Sequence, residues 1–429
     1  MRVVVAPDKF KGSLTAVEAA EAIGEGLRQG RLGVDVVLAP VADGGDGTVD
    51  AAVAAGYDRI TTTVAGPTGQ PVTASFAVSG DTAVAVVEMA EAAGLRRLPG
   101  GRPAPLAATT FGVGELIRAA LDRGVRRVVL GVGGSATTDG GTGMARALGV
   151  RFLDADGRDL APGGAALGRL HTIDMAGLDP RLRDLEVVVA SDVDNPLTGL
   201  RGAAAVFGPQ KGAGPADVEE LEQALSQLAS VIARQLGVDL AGRAGAGAAG
   251  GTSGGAVAFL GASIVSGIDL LLDLAHFPTA VRTAHLVITG EGSLDGQSLA
   301  GKAPWGVAQA AARAGVPVVA LVGRSTLTDK EARAAGFAEM HALTHLEPDL
   351  ERCQRDASTL LMSLAGASPK PRRSFARPRR KGPMTNRRRR PIQPSPVDGS
   401  IDKGNRCSHN SSRPWPAASP RRRSLPCFR

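Results

Sequence analysis

Gly131-Val-Gly-Gly-Ser-Ala-Thr-Thr-Asp-Gly-Gly-Thr-Gly143 directly follows the apolar run Val125 to Leu130 and leads into the helix-compatible Met144 to Leu148. A strand that empties into glycines, hydroxyls and one carboxylate is suited to hold an anion. Glycines let backbone N–H groups approach an oxyanion, and the first turn of a following helix adds free donors and the positive dipole end. A phosphate or a carboxylate is the expected guest, with Gly133, Gly134, Ser135, Thr137 and Asp139 as candidate binding residues.

The run is not a Walker A loop, because it has no lysine. Gly131, Gly133 and Ala136 fit the dinucleotide fingerprint, with Asp154 near the distance of a ribose-binding acid, so a nucleotide-dependent oxidoreductase stays open as an alternative. A tight strand-to-helix turn without a ligand is the plainer alternative.

Working outward, short apolar runs alternate with helical segments: Val3 to Ala6, Ala16 to Leu27, Val34 to Leu38, Thr48 to Ala55, and later Leu286 to Thr289, Trp305 to Ala314 and Val316 to Val322. Such alternation predicts parallel βαβ units and an α/β fold. Thr61 to Val64 and Val72 to Val78 read instead as antiparallel strands around the turn Gly66-Pro-Thr-Gly69. The expected division is a first α/β domain from 1–65 plus 281–366, a second α/β domain inserted as 66–280, and a disordered basic tail at 367–429.

Charge separates the tail from the body. Of the 49 Lys and Arg and 42 Asp and Glu, 18 basic and only 2 acidic side chains fall at or after Lys370, which leaves the first 369 residues at net −9. The tail is rich in proline and arginine and has no sustained apolar period, so it cannot bury a core. It reads as an inert or out-of-frame extension; nucleic-acid binding through it is the alternative. No nucleic acid is expected as partner of the acidic body.

Only Cys353 lies in the body, so neither a disulfide framework nor a cysteine metal site is expected, and a cytoplasmic setting is. The N-terminus reaches Asp8 and Lys9 at once, too soon for a signal peptide. Ala244 to Ile268 is uncharged but glycine-rich, and reads as a loop plus a buried helix rather than a membrane span.

The body has five lysines, and four sit in glycine-flanked segments: Lys9 and Lys11 in Asp8-Lys-Phe-Lys-Gly-Ser13, Lys211 in Gly208-Pro-Gln-Lys-Gly212, and Lys302 in Ala300-Gly-Lys-Ala-Pro304. Lys330 reads as a helix-surface residue. A compact ammonium on a flexible stem suits moving phosphate charge. Carboxylates gather at strand ends too: Asp43 and Asp46, Asp192 and Asp194, and Glu291 and Asp295. Ligands of open α/β sheets bind at such ends, where carboxylates can hold Mg²⁺ with substrate phosphates or accept a hydroxyl proton; singly they also serve as caps and Asx turns. The histidines lie outside these turns, and Ser135 has no neighbouring base in sequence, so direct phosphoryl transfer from ATP to a hydroxyl matches the inventory best.

Taken in order, Asp8-Lys-Phe-Lys-Gly-Ser13, Asp43-Gly-Gly-Asp-Gly47, Gly133-Gly-Ser-Ala-Thr-Thr-Asp-Gly-Gly141, Asp192-Val-Asp-Asn-Pro196, Gly208-Pro-Gln-Lys-Gly212 and Thr289-Gly-Glu-Gly-Ser-Leu-Asp295 resemble the bacterial type 1 glycerate kinases over residues 1 to 365. The resemblance implies phosphorylation of D-glycerate by ATP and Mg²⁺, usually at the 2-hydroxyl to give 2-phosphoglycerate, with phosphorylation at the 3-hydroxyl to 3-phosphoglycerate as the alternative. It also implies a Rossmann-like domain made from both chain ends with a second α/β domain inserted. The basic tail has no counterpart in the family pattern.

Roles follow as expectations. The Gly133 to Gly141 loop and Lys211 would hold phosphates or the glycerate carboxylate, and Lys9 would neutralise the transferring phosphoryl. Asp192 or Asp194 would bind Mg²⁺ or orient the hydroxyl, with Asp8, Asp43 and Asp46 as rivals. Lys11, Ser13, Glu291, Asp295 and Lys302 would complete the substrate and phosphate site.

Overall fold

Three consecutive valines make both faces of Arg2–Val5 apolar, so the strand needs cover on both sides. It lies inside an all-parallel sheet ordered Glu339–Ala342, Val318–Val322, Leu286–Thr289, Arg2–Val5, Asp35–Leu38. The computed structural model describes residues 1–30, 33–42, 44–81, 83–296 and 301–367. Successive side chains of a strand point to opposite faces, and the cores divide accordingly. Val4, Val287, Val318 and Ala320 pack with the helices Phe277–Arg282 and Ala303–Arg313. Val3, Val5, Leu286 and Ile288 pack with Ala16–Gly30 and Ala357–Ala367. Each fully buried valine contributes roughly 1.5–3 kcal/mol.

Those last two helices cross backbone to backbone. A Cβ added at Gly26 would lie 2.1 Å from the Met362 carbonyl oxygen, and one at Gly30 would lie 2.5 Å from that of Gly366. Both glycines therefore tie the start of the chain to residues just before 367.

A second sheet runs Ser263–Val265, Glu186–Ala190, Arg127–Gly131, Val84–Glu88, Pro71–Val78, Asp58–Ala65. The first four strands are mutually parallel, and the last two form an antiparallel hairpin. Its turn is the expected one: Gly66 N–H donates to the Gln70 carbonyl at 2.7 Å, and Gly69 takes φ 83°, which favours glycine. Val128, Leu130, Val187 and Val189 face the larger core, whereas Val86, Val129 and Ala190 face a small cluster with Val49 and Ala52 of the helix Thr48–Ala54.

Sheet membership draws the seams elsewhere than at 65/66 and 280/281. Asp58–Ala65 pairs along its whole length with Pro71–Val78, so it belongs to the second sheet. The helix Gly267–Leu274 gives Ile268 and Leu272 to the first sheet's core but Leu270 and Leu274 to the cluster under Thr48–Ala54. A period-2 pattern announces a strand without naming its sheet, and a short turn keeps two antiparallel strands together.

Ala244 to Ile268 is a run of turns, the helix Thr252–Leu260 buried at every residue but Ala258, a short strand and the start of the next helix. Among the described residues no helix is long and apolar enough to cross a membrane. The tail from 368 onward and Asp43 lie outside the described residues.

Candidate active site

Parallel strands of both sheets end at one place, and glycines let their loops touch there. Gly133 N–H donates to the Gly44 carbonyl at 3.0 Å. A Cβ on Gly133 would sit 2.3 Å from the Gly45 Cα, one on Gly134 2.4 Å from Asp46 Oδ1, and one on Gly44 2.8 Å from the Ala190 carbonyl oxygen. The loops after Asp35–Leu38, Arg127–Gly131 and Glu186–Ala190 are thereby pinned together. The glycines of the Gly131 run serve this close approach first. Its remaining capacity for an anion lies in the N–H groups of Gly134 and Ser135, which no acceptor takes among the described residues.

These loops wall a cleft of about 830 Å³ lined by Lys9, Lys11, Asp46, Gly133, Gly134, Ser135, Asp192, Asp194, Lys211 and Lys302. An adjoining cavity of about 480 Å³ shares Lys9, Lys11 and Lys302 and adds Asp8, Ser13, Glu291 and Asp295. All four glycine-flanked lysines thus converge, while Lys330 stays exposed on the helix Asp329–Ala334.

Lys211 is the most unusual of them. It is 1% exposed, donates from Nζ to the Thr137 carbonyl at 2.6 Å, and burial pulls its ammonium down to about 7 despite the Asp139 charge. A buried ammonium loses its hydration, and one neutral acceptor replaces little of it.

Asp139 and Thr137 do not line the cleft, contrary to expectation, for both are fully buried. The Asp139 carboxylate accepts from Thr110 N–H (2.8 Å) and hydroxyl (2.9 Å) and from the N–H groups of Gly141 and Gly143 (3.1 Å each). It fastens the start of the helix Thr142–Ala147 to Thr110, a capping duty that leaves it no ligand. Burial pushes its carboxyl upward, and these hydrogen bonds oppose the shift. Thr137 serves through its carbonyl, as the acceptor for Lys211.

Asp192 and Asp194 line the cleft, but their oxygens have partners. Asp192 accepts from the Ser266 hydroxyl (3.0 Å) and from Gly267 and Ile268 N–H (2.9 and 3.2 Å), holding the start of Gly267–Leu274. Asp194 is exposed and pairs with Arg201 at 2.9 Å. Among the described residues no three or more acidic, histidine or cysteine side chains gather as a metal site. Asp192 and Asp194 are two carboxylates, the number that Mg²⁺ sites commonly use together with substrate phosphates and water. Asp8 lies 3.6 Å from Lys9 Nζ, Asp46 pairs with Arg96 at 3.5 Å, and the Ser13 hydroxyl donates to the Gln354 carbonyl at 2.5 Å.

The strand-end lysines, the carboxylates and the six motifs share one chain with a family match: the glycerate kinase family profile spans residues 3–367. The chain belongs to the glycerate kinase family. It is 50% identical over 324 residues to the glycerate kinase of Bacillus subtilis strain 168, covering 75% of this chain and 85% of that protein. It is 47% identical over 331 residues to the glycerate 2-kinase of Escherichia coli K12, covering 77% and 86%. A crystal structure of a candidate glycerate kinase 2 from Salmonella typhimurium LT2 superposes with a TM-score of 0.74 at 44% identity, covering 85% of this chain and 97% of that one.

The glycerate kinase family is one of phosphotransferases, and the dinucleotide reading loses its support in the geometry. Asp154 accepts from Asp156 and Arg158 N–H, both at 2.9 Å, in a surface turn, and lines neither cavity. Gly131 and Gly133 are accounted for by the Gly44–Gly45 contact.

One residue near the cleft escaped the sequence reading. Glu88 ends Val84–Glu88, is 2% exposed, and accepts at Oε2 from Gly47 and Val49 N–H, both at 3.1 Å. Among the described residues its Oε1 has no hydrogen-bond partner, and it lies 4.0 Å from Arg96, which also reaches Asp46. Burial, helped by the nearby Glu91 and Asp46 charges, pushes its carboxyl up to about 7 against those two hydrogen bonds. The one signal was a carboxylate closing an otherwise apolar strand.

Proposed function

We propose that the chain transfers the γ-phosphoryl group of ATP to the 2-hydroxyl of D-glycerate, giving 2-phosphoglycerate and ADP, in the lysine-lined cleft. The observation that carries this reading is the convergence of Lys9, Lys11, Lys211 and Lys302 at the ends of parallel strands. Phosphoryl transfer asks little covalent chemistry of a protein beyond positioning and charge neutralisation. In this reading the glycerate carboxylate is met by Lys211 and the N–H groups of Gly134 and Ser135, while Lys9, Lys11 and Lys302 face the phosphates. The glycerate hydroxyl forms the new P–O bond, the bond to the ADP leaving oxygen breaks, and the hydroxyl proton passes to a cleft carboxylate. Asp192, fixed by three donors, is proposed to orient the hydroxyl, with Asp194 as its alternate. Magnesium enters as the counter-ion of ATP, as part of the substrate, and no step is routed through a protein-held ion.

The same reading takes the parallel sheet built from both chain ends as a Rossmann-like domain and the second sheet as an inserted α/β domain, in a cytoplasmic setting. The similarity to a named glycerate 2-kinase favours the 2-hydroxyl. Phosphorus NMR of the product from D-glycerate and ATP, with coupled ADP release, tests it. A product phosphorylated only at the 3-hydroxyl would overturn the regiochemistry, and no glycerate-dependent ADP release would overturn the activity. Near-normal turnover in both Asp192→Asn and Asp194→Asn would remove those carboxylates from the reaction.

A further inference from the structure

The Gly134 and Ser135 N–H groups are held in place from two sides. On one side Leu95 N–H donates to the Gly134 carbonyl at 3.0 Å and Ala136 N–H to the Ala93 carbonyl at 2.9 Å, an antiparallel bridge of Gly94 with Ser135 that leaves the Ser135 N–H outside the pairing. On the other side the loop from Gly44 to Gly47 accepts the Gly133 N–H and lays Asp46 Oδ1 against Gly134. Glu88 connects these two clamps. It ends its strand level with Gly131 of the neighbouring strand, where the glycine run begins. Its Oε2 holds the Asp46 loop through the Gly47 and Val49 N–H groups, and its Oε1 faces Arg96, which follows Leu95 in the chain and reaches Asp46 at 3.5 Å.

Helix capping alone does not account for a carboxylate here. The helix Thr48–Ala54 starts at Gly47 without a side-chain cap, and a neutral local residue commonly does that work. Glu88 comes instead from 41 residues along the chain and is 2% exposed, so it gives up its hydration with one oxygen that no described donor bonds. It lines neither cavity, so its reach into the site runs through the two loops it holds.

We propose that Glu88 is a positioning residue of the glycerate site: through the Gly47 and Val49 N–H groups and through Arg96 it sets Asp46 and the Gly134 and Ser135 donors relative to one another, without touching the substrate. The inference rests on the kinase reading above, in which those donors meet the glycerate carboxylate. Arg96 balances charge in this arrangement, because an unopposed Asp46 carboxylate against Gly134 would repel the anion that the two N–H groups hold.

Three variants of the full chain test this. Glu88→Gln keeps the side-chain length and an oxygen for both N–H groups, and is expected to hold KM for D-glycerate within about 3-fold of wild type. Glu88→Asp keeps the charge but is shorter by one carbon–carbon bond, roughly 1.5 Å. It is expected to raise KM for glycerate at least roughly 10-fold, the scale on which ångström misplacement acts. Arg96→Ala, at an exposed position, is expected to raise it roughly 5-fold by leaving the Asp46 charge unopposed. In all three KM for ATP should stay within about 2-fold, since Lys9, Lys11 and Lys302 belong to other loops. A lower Tm with both KM values unmoved, an equal rise in both, or Glu88→Gln as impaired as Glu88→Asp would overturn the proposal, as would an unchanged KM for glycerate in Arg96→Ala. If Glu88→Asp does not fold, Arg96→Ala decides. Failure of the kinase reading is distinguishable, because wild-type protein would then release no ADP in response to glycerate, whereas failure of this proposal leaves wild-type turnover intact.

Discussion

Replacing Lys211 with methionine should make the protein more stable and inactive. The wild-type ammonium is 1% exposed, with the Thr137 carbonyl as its hydrogen-bond acceptor at 2.6 Å. Burial holds it at about 7 against 10.5 in the unfolded chain. Because the folded value is the lower one, the unfolded chain binds more protons between about pH 7 and 10.5, and stability rises with pH across that window. Below about 7 the penalty is complete at roughly 4–5 kcal/mol, since every tenfold loss of proton affinity is worth ~1.4 kcal/mol. Methionine fills nearly the same volume without charge, but it leaves the Thr137 carbonyl short of a donor, which costs about 1–3 kcal/mol. The balance near pH 7 is a gain of roughly 1–3 kcal/mol, or several degrees in Tm. Thermal unfolding of both proteins from pH 6.5 to 9.5 measures it, and the variant's advantage should shrink by about 3 kcal/mol over that range. Turnover should fall by roughly 100-fold or more, as when one preorganised donor to a charged group is removed. A Lys211→Met protein less stable than wild type at pH 7, or an advantage that does not vary with pH, would refute the reasoning.

Other expectations follow from the same contacts. In Gly133→Ala the new methyl meets the Gly45 backbone, which no side-chain rotation relieves, so a loss of about 1–3 kcal/mol and of most activity is expected; Gly168→Ala, where nothing lies within 4 Å, is the neutral control in chemical denaturation. Glu88→Gln should change the acid side of the stability curve. The Glu88 carboxyl is raised from 4.5 to about 7, so the folded protein binds its proton more tightly; that stability is complete below about 4.5 and lost as pH rises through 7. Roughly 3 kcal/mol of pH dependence should therefore vanish in the variant, and an unchanged curve between pH 4.5 and 7.5 would contradict the burial argument. Removing residues 370–429 should leave kcat within about 2-fold, since a segment that cannot bury a core adds nothing to the cleft; a large loss in the coupled assay would put the tail in the site.

Where the chain follows backbone periodicity, it was legible. The valine runs of Arg2–Val5 and Val318–Val322 and the turn at Gly66 to Gly69 read directly as parallel core strands and a hairpin, because burial on two faces and positive φ leave marks in residue type. The sheet to which Asp58–Ala65 belongs did not, since alternation carries no partner. The gathering of four lysines was legible as well, because lysine is scarce in the body and its neighbours are glycines. What stayed hidden is burial. Asp139 and Asp46 look alike in an Asp-Gly context, yet one is a fully enclosed cap and the other lines the cleft beside Arg96. Lysine ordinarily reaches solvent along its stem, so nothing in Gly208-Pro-Gln-Lys-Gly212 announces that Lys211 is enclosed. Glu88 was missed for the same reason, since its enclosure depends on Gly47 and Val49, some 40 residues earlier in the chain.

A crystal structure with D-glycerate and a non-hydrolysable ATP analogue tests the central claim most directly. The glycerate carboxylate should lie within hydrogen-bond reach, about 3 Å, of Lys211 Nζ or the Gly134 and Ser135 N–H groups, with the γ-phosphate between that glycerate and Lys9, Lys11 and Lys302. Either ligand bound away from these four lysines would contradict it.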